Sequence, residues 1–245
     1  MSNIHIILQG KGGVGKSLVA SLLTQYLIHK HSDTNKPLTL IDTDPLNKTF
    51  SRYKRLPVQS LDILENDQIN QRRFDEIIEL IAQSKGDTVI DNGASSFIAL
   101  STYIKEMEIA EVIKSLGHKL VIHTIITGGQ AFNDTLVGFA QIVNHLKGYA
   151  QFIIWLNPYW GEIMADGKPF EQLTVYKANK EQITALIQLP VQKQETFGHD
   201  LSTMLNQNMT FDEAIADPDK TIMTRQRLKI MKDDIYKRLD AAVIL

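Results

Sequence analysis

The sequence predicts an α/β fold in which a mainly parallel sheet is doubly wound by helices. Two observations carry this. Six short runs rich in Ile, Val and Leu recur along the 245 residues with little polar alternation, as strands buried on both faces do. Amphipathic stretches of helical period fill the gaps between them.

The strand runs are Ile4–Leu8, Leu38–Ile41, Thr88–Ile90, Leu120–Ile126, Phe152–Leu156 and Ile183–Leu189. Several stop on a polar or turn-forming residue: Asp42, Asp91, Thr127-Gly128-Gly129, Asn157-Pro158 and Pro190. Helices are expected over Ser17–Lys30, with Val19, Leu22, Leu23, Tyr26 and Leu27 on one side, and over Asn70–Gln83, with Phe74, Ile77, Ile78 and Ile81. Ser95–Leu116 and Ala131–Leu146 supply the next two crossovers. Leu201–Leu205 and Phe211–Ala216 read as short helices, and Thr221–Ala242 as a long one bearing Leu228, Met231, Ile235 and Leu239. Pro158–Pro169, dense in Gly, Pro and aromatics, reads as a surface loop or insertion. No composition shift marks a second domain, so residues 1–245 are expected to form one domain ending in a helical segment from about 198 to 245.

Composition excludes several classes. There is no cysteine, which removes disulfide scaffolds, thiol catalysis, Cys-ligated zinc and iron–sulfur clusters. With 26 Lys+Arg against 28 Asp+Glu the net charge is −2, which gives no general attraction for polyanions. No apolar run reaches 18 residues and the N-terminus lacks a basic start with an apolar stretch, so a cytoplasmic protein is expected.

Gly10-Lys11-Gly12-Gly13-Val14-Gly15-Lys16-Ser17 satisfies G-x-x-x-x-G-K-[ST], with a strand before it and a helix after it. Glycines let consecutive N–H groups converge on phosphate oxygens, and the helix start adds its positive dipole end. Lys16 would reach the β- and γ-phosphates and the Ser17 hydroxyl would ligate Mg²⁺. The nucleotide-binding set thus runs Gly10, Lys11, Gly12, Gly13, Val14, Gly15, Lys16, Ser17 and Leu18. Asp42 and Asp44 follow the second strand and Asp91 ends the third, where an open α/β sheet places its ligand. Asp91 is a candidate for Mg²⁺. The same segments also suit turns, as Asp44-Pro45 and Asn92-Gly93 show.

Lys11 is unusual, because a second lysine beside the phosphates has no role in most P-loops. The string Lys-Gly-Gly-Val-Gly-Lys-Ser resembles the deviant Walker motif of the ParA/MinD family of P-loop ATPases. That resemblance implies two subunits sandwiching two ATPs, with Lys11 crossing to the partner's phosphates as an arginine finger does. It implies that Asp44 positions the attacking water, Asp42 lies near Mg²⁺, Asp91 serves as the Walker B aspartate, and Asn157 and Pro190 line the adenine. Asn157 and Pro190 also suit a plain strand end with a breaker. The family more often has a proline where Asn92-Gly93 stands. The absence of an Asn-Lys-x-Asp signature favours ATP over GTP. Asn3–Gly10, Glu195-Thr196-Phe197-Gly198 and Phe211-Asp212-Glu213-Ala214 look like the plasmid conjugative-transfer branch, the TraL-like proteins.

The resemblance implies a slow, Mg²⁺-dependent ATPase that dimerises and serves as an accessory protein of plasmid transfer. Other readings on the same scaffold are a plasmid partition ATPase, a dethiobiotin-synthetase-like ligase, and a nucleotide-binding scaffold with little turnover. Candidate partners are a second copy, a plasmid transfer or partition protein, and non-specific DNA through Lys220, Arg225, Arg227, Lys229, Lys232, Lys237 and Arg238. Arg52, Lys54 and Arg55 form a smaller basic group. The apolar end Ala241–Leu245 is too short to anchor the chain on a membrane. His5, His118 and His123 sit in strands at no ligand spacing and read as structural, while Tyr159 and Trp160 could face a base or a partner.

Overall fold

A computed structural model describes residues 2–191 and 193–242. Its strands are β1 (Ser2–Ile7), β2 (Leu38–Asp42), β3 (Val58–Ser60), β4 (Leu64–Glu65), β5 (Gln68–Ile69), β6 (Asp87–Asp91), β7 (His118–Thr127), β8 (Gln151–Asn157), β9 (Met164–Ala165), β10 (Lys168–Pro169) and β11 (Ile183–Gln188). The helices are α1 (Lys16–Lys30), α2 (Asp75–Gln83), α3 (Phe97–Glu106), α4 (Ile109–Ser115), α5 (Phe132–Leu146), α6 (Thr174–Asn179), α7 (His199–Asn206), α8 (Phe211–Ala216) and α9 (Ile222–Ala241). Seven strands form one sheet in the order β11-β8-β7-β1-β6-β2-β3, with parallel pairing throughout.

The sheet is covered on both faces, which is why its strands lack polar alternation. Ile4, Ile6, Ile90, Ile122 and Ile154 point into a core closed by α2, α3, α4 and α5. Ile7, Val89, Val121, Ile125 and Ile153 point the other way, against α1, α7, α8 and α9. The chain leaves β1 for β2 on one side and later returns to build β7, β8 and β11 on the other. That reversal places a crevice beyond the carboxyl end of β1.

All six expected strands are present. β3 was not expected: Val58-Gln59-Ser60 is a short, half-exposed edge strand, held to β2 by backbone pairing without an apolar pattern. The expected helix Ser95–Leu116 is two helices broken at Glu108, which adopts a left-handed backbone with φ 49. A straight helix of that length spans roughly 30 Å, far beyond the five-residue β6 before it. The break lets Ile109, Ala110 and Ile113 turn back onto the core. Asn70–Gln83 begins as a 3₁₀ turn over Gln71–Phe74, capped by the Asn70 side chain, before α2 takes over. α9 buries Leu228, Met231, Ile235 and Leu239 as its periodicity requires. The terminal Val243-Ile244-Leu245 lies outside the described residues.

Pro158–Pro169 is not irregular. It holds a 3₁₀ turn at Pro158–Trp160 and the hairpin β9–β10, whose turn residues Asp166 and Gly167 both have positive φ. Asp-Gly is the hairpin signal that marks such a turn. No helix among the described residues is long and apolar enough to cross a membrane.

Candidate functional site

The loop between β1 and α1 owes its shape to its side-chain anchors. Three of its carbonyls are held by side-chain donors. Lys16 Nζ donates to Lys11 O at 2.9 Å, Trp160 Nε1 to Gly13 O at 3.3 Å and Asn157 Nδ2 to Val14 O at 2.9 Å. A trans peptide sets its N–H opposite its C=O, so anchoring the carbonyls of Gly13 and Val14 turns the N–H groups of Val14 and Gly15 to the other side. Gly13 and Gly15 have φ 74 and 103, conformations a side chain would strain. The loop therefore has the form of a cradle for an anion at the start of α1.

Gln9 supports the loop from below and was missed in the sequence. It is fully buried, donates to Ile125 O and Thr135 O at 2.9 and 3.2 Å, and accepts from Lys11 N at 3.4 Å. A glutamine closing an otherwise apolar strand just before the glycine loop was the available signal.

The acidic residues gather where the topology predicts. Asp42 and Asp91 are register partners on neighbouring strands. Asp91 is buried and neither of its carboxylate oxygens has a hydrogen-bond partner. Burial pushes its pKa up to about 7, with nearby Ser17 opposing and Asp42 adding to the rise. A buried carboxylate with no well-formed hydrogen bond, facing the Ser17 hydroxyl and a lysine, fits a divalent cation. With Mg²⁺ bound, Ser17 and Asp91 would hold it, and the ion would supply positive charge at the phosphates.

Asp42 is occupied differently. Its Oδ1 accepts from Asp44 N at 3.0 Å and its Oδ2 from Ser51 N at 2.8 Å, so its carboxylate ties down residues 44–51. Burial raises its pKa while those N–H groups lower it. Asp44 accepts from Leu46 N and Asn47 N at 3.0 and 3.1 Å, an Asx turn at the crevice. A Cβ on Gly93 would come within 2.9 Å of Asp44 Cγ, so the Asn92-Gly93 turn packs directly under that carboxylate.

Lys16 is buried, and its pKa is lowered by burial against the opposing pull of Asp91 and Asp44. Lys11 behaves otherwise. Its side chain is 44% exposed and its amine sits 2.7 Å from Asp134 Oδ2, on the first turn of α5, itself 57% exposed. The two lysines of one motif thus point to different places: one folds into the loop, the other stands outside it.

A cavity of about 620 Å³ opens beside the loop. Gly13, Gly15, Leu18, Asn157 and Pro190 line it, so the structure brings the expected adenine residues together with the P-loop. The aromatic turn Pro158–Trp160 forms part of its wall. That turn is pressed onto Gly128-Gly129: a Cβ on Gly128 would lie 2.2 Å from Gly161 O, and one on Gly129 2.5 Å from Trp160 O. Gly128→Ala should therefore destabilise the protein by about 2 kcal/mol, measured by urea unfolding, because backbone rather than a mobile side-chain tip must move.

His5 and His123 are hydrogen-bonded at 2.9 Å and Trp155 Nε1 donates to His123 Nδ1 at 2.9 Å, inside the core and away from the crevice. Among the described residues no cluster of three or more His, Asp or Glu could hold a metal ion.

The C-terminal cations are largely engaged. Lys220 pairs with Asp217, Arg227 with Asp200, Lys232 with Asp212 and Arg238 with Asp234. Of the smaller basic group, Arg55 approaches Glu213 at 3.6 Å and Arg52 donates to Asn47 O.

No family model matches the chain. A 42-residue stretch, 17% of this chain and 14% of the other, is 55% identical to a cytosolic Fe-S cluster assembly factor Nubp1 homolog of Drosophila yakuba. Among solved structures, a plasmid partition protein from Borrelia burgdorferi superposes with TM-score 0.45 at 14% identity, over 84% of this chain and 96% of that one. FlhF complexed with GMPPNP/Mg(2+) gives 0.40 at 13% identity, over 95% and 75%. Two Escherichia coli proteins, each named Protein TraL, are 51% identical to it over 245 residues, covering all of this chain and all of each relative. At that identity over its whole length, the chain belongs to the TraL family.

Proposed function

We propose that the protein is an ATP-dependent dimerising switch with slow hydrolysis, serving plasmid conjugative transfer. One observation carries the reading: Lys11 stands outside the loop that Lys16 fills, exposed and, among the described residues, held only by a surface carboxylate. An amine in that place cannot serve the phosphates of its own loop without leaving Asp134, and it is free to reach those of a second subunit. In this reading the loop N–H groups and Lys16 bind the phosphates. Ser17 and Asp91 hold Mg²⁺, and Asp42 fixes the segment that presents Asp44 to the attacking water. Asn157 and Pro190 border the base. Exposed apolar side chains beyond the carboxyl ends of the strands, Leu46, Ile98 and Val137, would be covered by the second copy. The experiment is sedimentation with Mg²⁺ and no nucleotide, ADP or ATP. A mass that doubles with ATP alone supports the switch, and a monomer under all three conditions would end it.

DNA contact, if made through α9, would rest on Arg225, Lys229 and Lys237, the cations there without an ion pair among the described residues. Binding to random duplex should then weaken with salt at a log–log slope of about −3 per protomer. A slope of −6 or steeper would mean that the ion pairs of Lys220, Arg227, Lys232 and Arg238 open onto the phosphates.

A further inference from the structure

Among the described residues, the cavity beside the P-loop has no Asp, Glu, Lys or Arg in its lining. It is built for the uncharged end of a ligand whose charge lies on the loop. Leu18 and Pro190 are among the aliphatic residues around it, and Tyr159 and Trp160 stand at its edge. These two rings pack edge to face, with centroids 4.9 Å apart at 87°, and yet remain 63% and 57% exposed. Folding leaves this aromatic surface largely uncovered. The pair is also held rigidly, by the close backbone approach of Gly128-Gly129 and by the Trp160 hydrogen bond to Gly13 O. A rigid aromatic surface beside a neutral slot, with aliphatic residues in the same lining, suits a flat ring that stacks.

We propose that Tyr159 and Trp160 form the nucleoside-binding wall of this site, with Trp160 stacking on the base or ribose of a nucleoside triphosphate. The proposal rests on the nucleotide reading above and adds residues that the P-loop motif does not include. It also sets a division of labour: the loop holds phosphates whatever they carry, and the aromatic wall distinguishes a nucleotide from a bare polyphosphate.

The test compares Mg·ATP with inorganic tripolyphosphate by calorimetry in wild type, Trp160→Ala and Trp160→Phe, each first shown to melt as wild type does. Trp160→Ala should lose about tenfold more affinity for ATP than for tripolyphosphate, since the anchor on Gly13 O is lost to both ligands whereas one base–aromatic stack, lost to ATP alone, is worth about that much. Trp160→Phe keeps a ring and loses the N–H, and should stay within about threefold of wild type for ATP. Equal losses for both ligands would show that Trp160 acts only by anchoring the loop through Gly13, and would overturn the proposal. Unchanged ATP affinity in Trp160→Ala would overturn it too, including where ATP-dependent dimers are lost, since the pair would then belong to a subunit interface. Wild-type protein that binds tripolyphosphate no more weakly than ATP sinks the wall while leaving the P-loop standing. Failure to bind either removes the nucleotide reading and this one together.

Discussion

Lys11→Ala should bind Mg·ATP within about twofold of wild type and form no ATP-dependent dimer. The expectation follows from where the two lysines point. Lys16 is buried against the loop and faces Asp91 and Asp44, so the phosphate-binding amine is untouched by the change. The Lys11 amine touches only Asp134 among the described residues, so removing it costs the monomer little; a surface ion pair contributes about 0–1 kcal/mol. In the dimer the same amine would meet a desolvated triphosphate, where a cation delivered in trans is worth orders of magnitude in rate. The variant therefore separates binding from assembly. Asp134→Asn supplies the opposite arm. It frees Lys11 from its resting partner and should strengthen ATP-dependent dimerisation by up to about fivefold at low salt, the gain fading as salt screens the pair. Sedimentation of both variants with ATP reads the two effects. A Lys11→Ala dimer as tight as wild type would remove the trans role of this lysine.

The fold was legible wherever burial dictates residue type. Strands covered on both faces must be apolar throughout, so β1, β2, β6, β7, β8 and β11 announced themselves, and the glycine loop fell between a strand and a helix as its chemistry requires. Elements that depend on backbone pairing or on one residue's dihedral were silent. β3 buries almost nothing, and the break between α3 and α4 rests on Glu108 in a conformation that glycine or asparagine would have advertised. At the site, the motif named the residues that would touch phosphate but not those that shape the loop. Gln9 anchors it from the end of β1, and Asn157 and Trp160 from the end of β8, and only the folded chain brings them together. Asp42 shows the limit most plainly. The resemblance places it near Mg²⁺, and only the structure reveals that both of its oxygens also accept from loop N–H groups.

The apo protein should lose stability between pH 7 and pH 4.5, and Asp91→Asn should lose about 3 kcal/mol more over that range. Two buried sets of groups oppose each other there. Trp155 donates to His123 Nδ1, so His123 is neutral, carries its proton on Nε2 and donates to His5 Nδ1. His5 then carries its proton on Nε2, which is buried without a partner. Each ring can become a cation only by placing a second N–H against an existing donor. Burial accordingly lowers His5 from its ordinary 6.5 to about 4, and holds His123 well below the usual histidine range. Unfolded histidines take up protons below pH 6.5 that the folded ones refuse. Stability from these residues is therefore present above that pH and lost as pH falls toward 4. Asp91 has the reverse sign. Its folded pKa is raised to about 7, so the folded chain holds a proton that the unfolded chain releases above pH 3.8. Its contribution is absent above pH 7 and grows as pH falls. The His5 shift alone corresponds to about 3 kcal/mol, similar in size to the offset from Asp91, and His123 adds a further loss of the same sign that Asp91 does not offset. Removing the carboxyl group with Asn exposes the histidine loss, and urea unfolding at pH 7, 5.5 and 4.5 measures it. A flat profile in Asp91→Asn would mean that the histidine pair accepts protons inside the fold, and the tautomer chain from Trp155 to His5 would have to be abandoned.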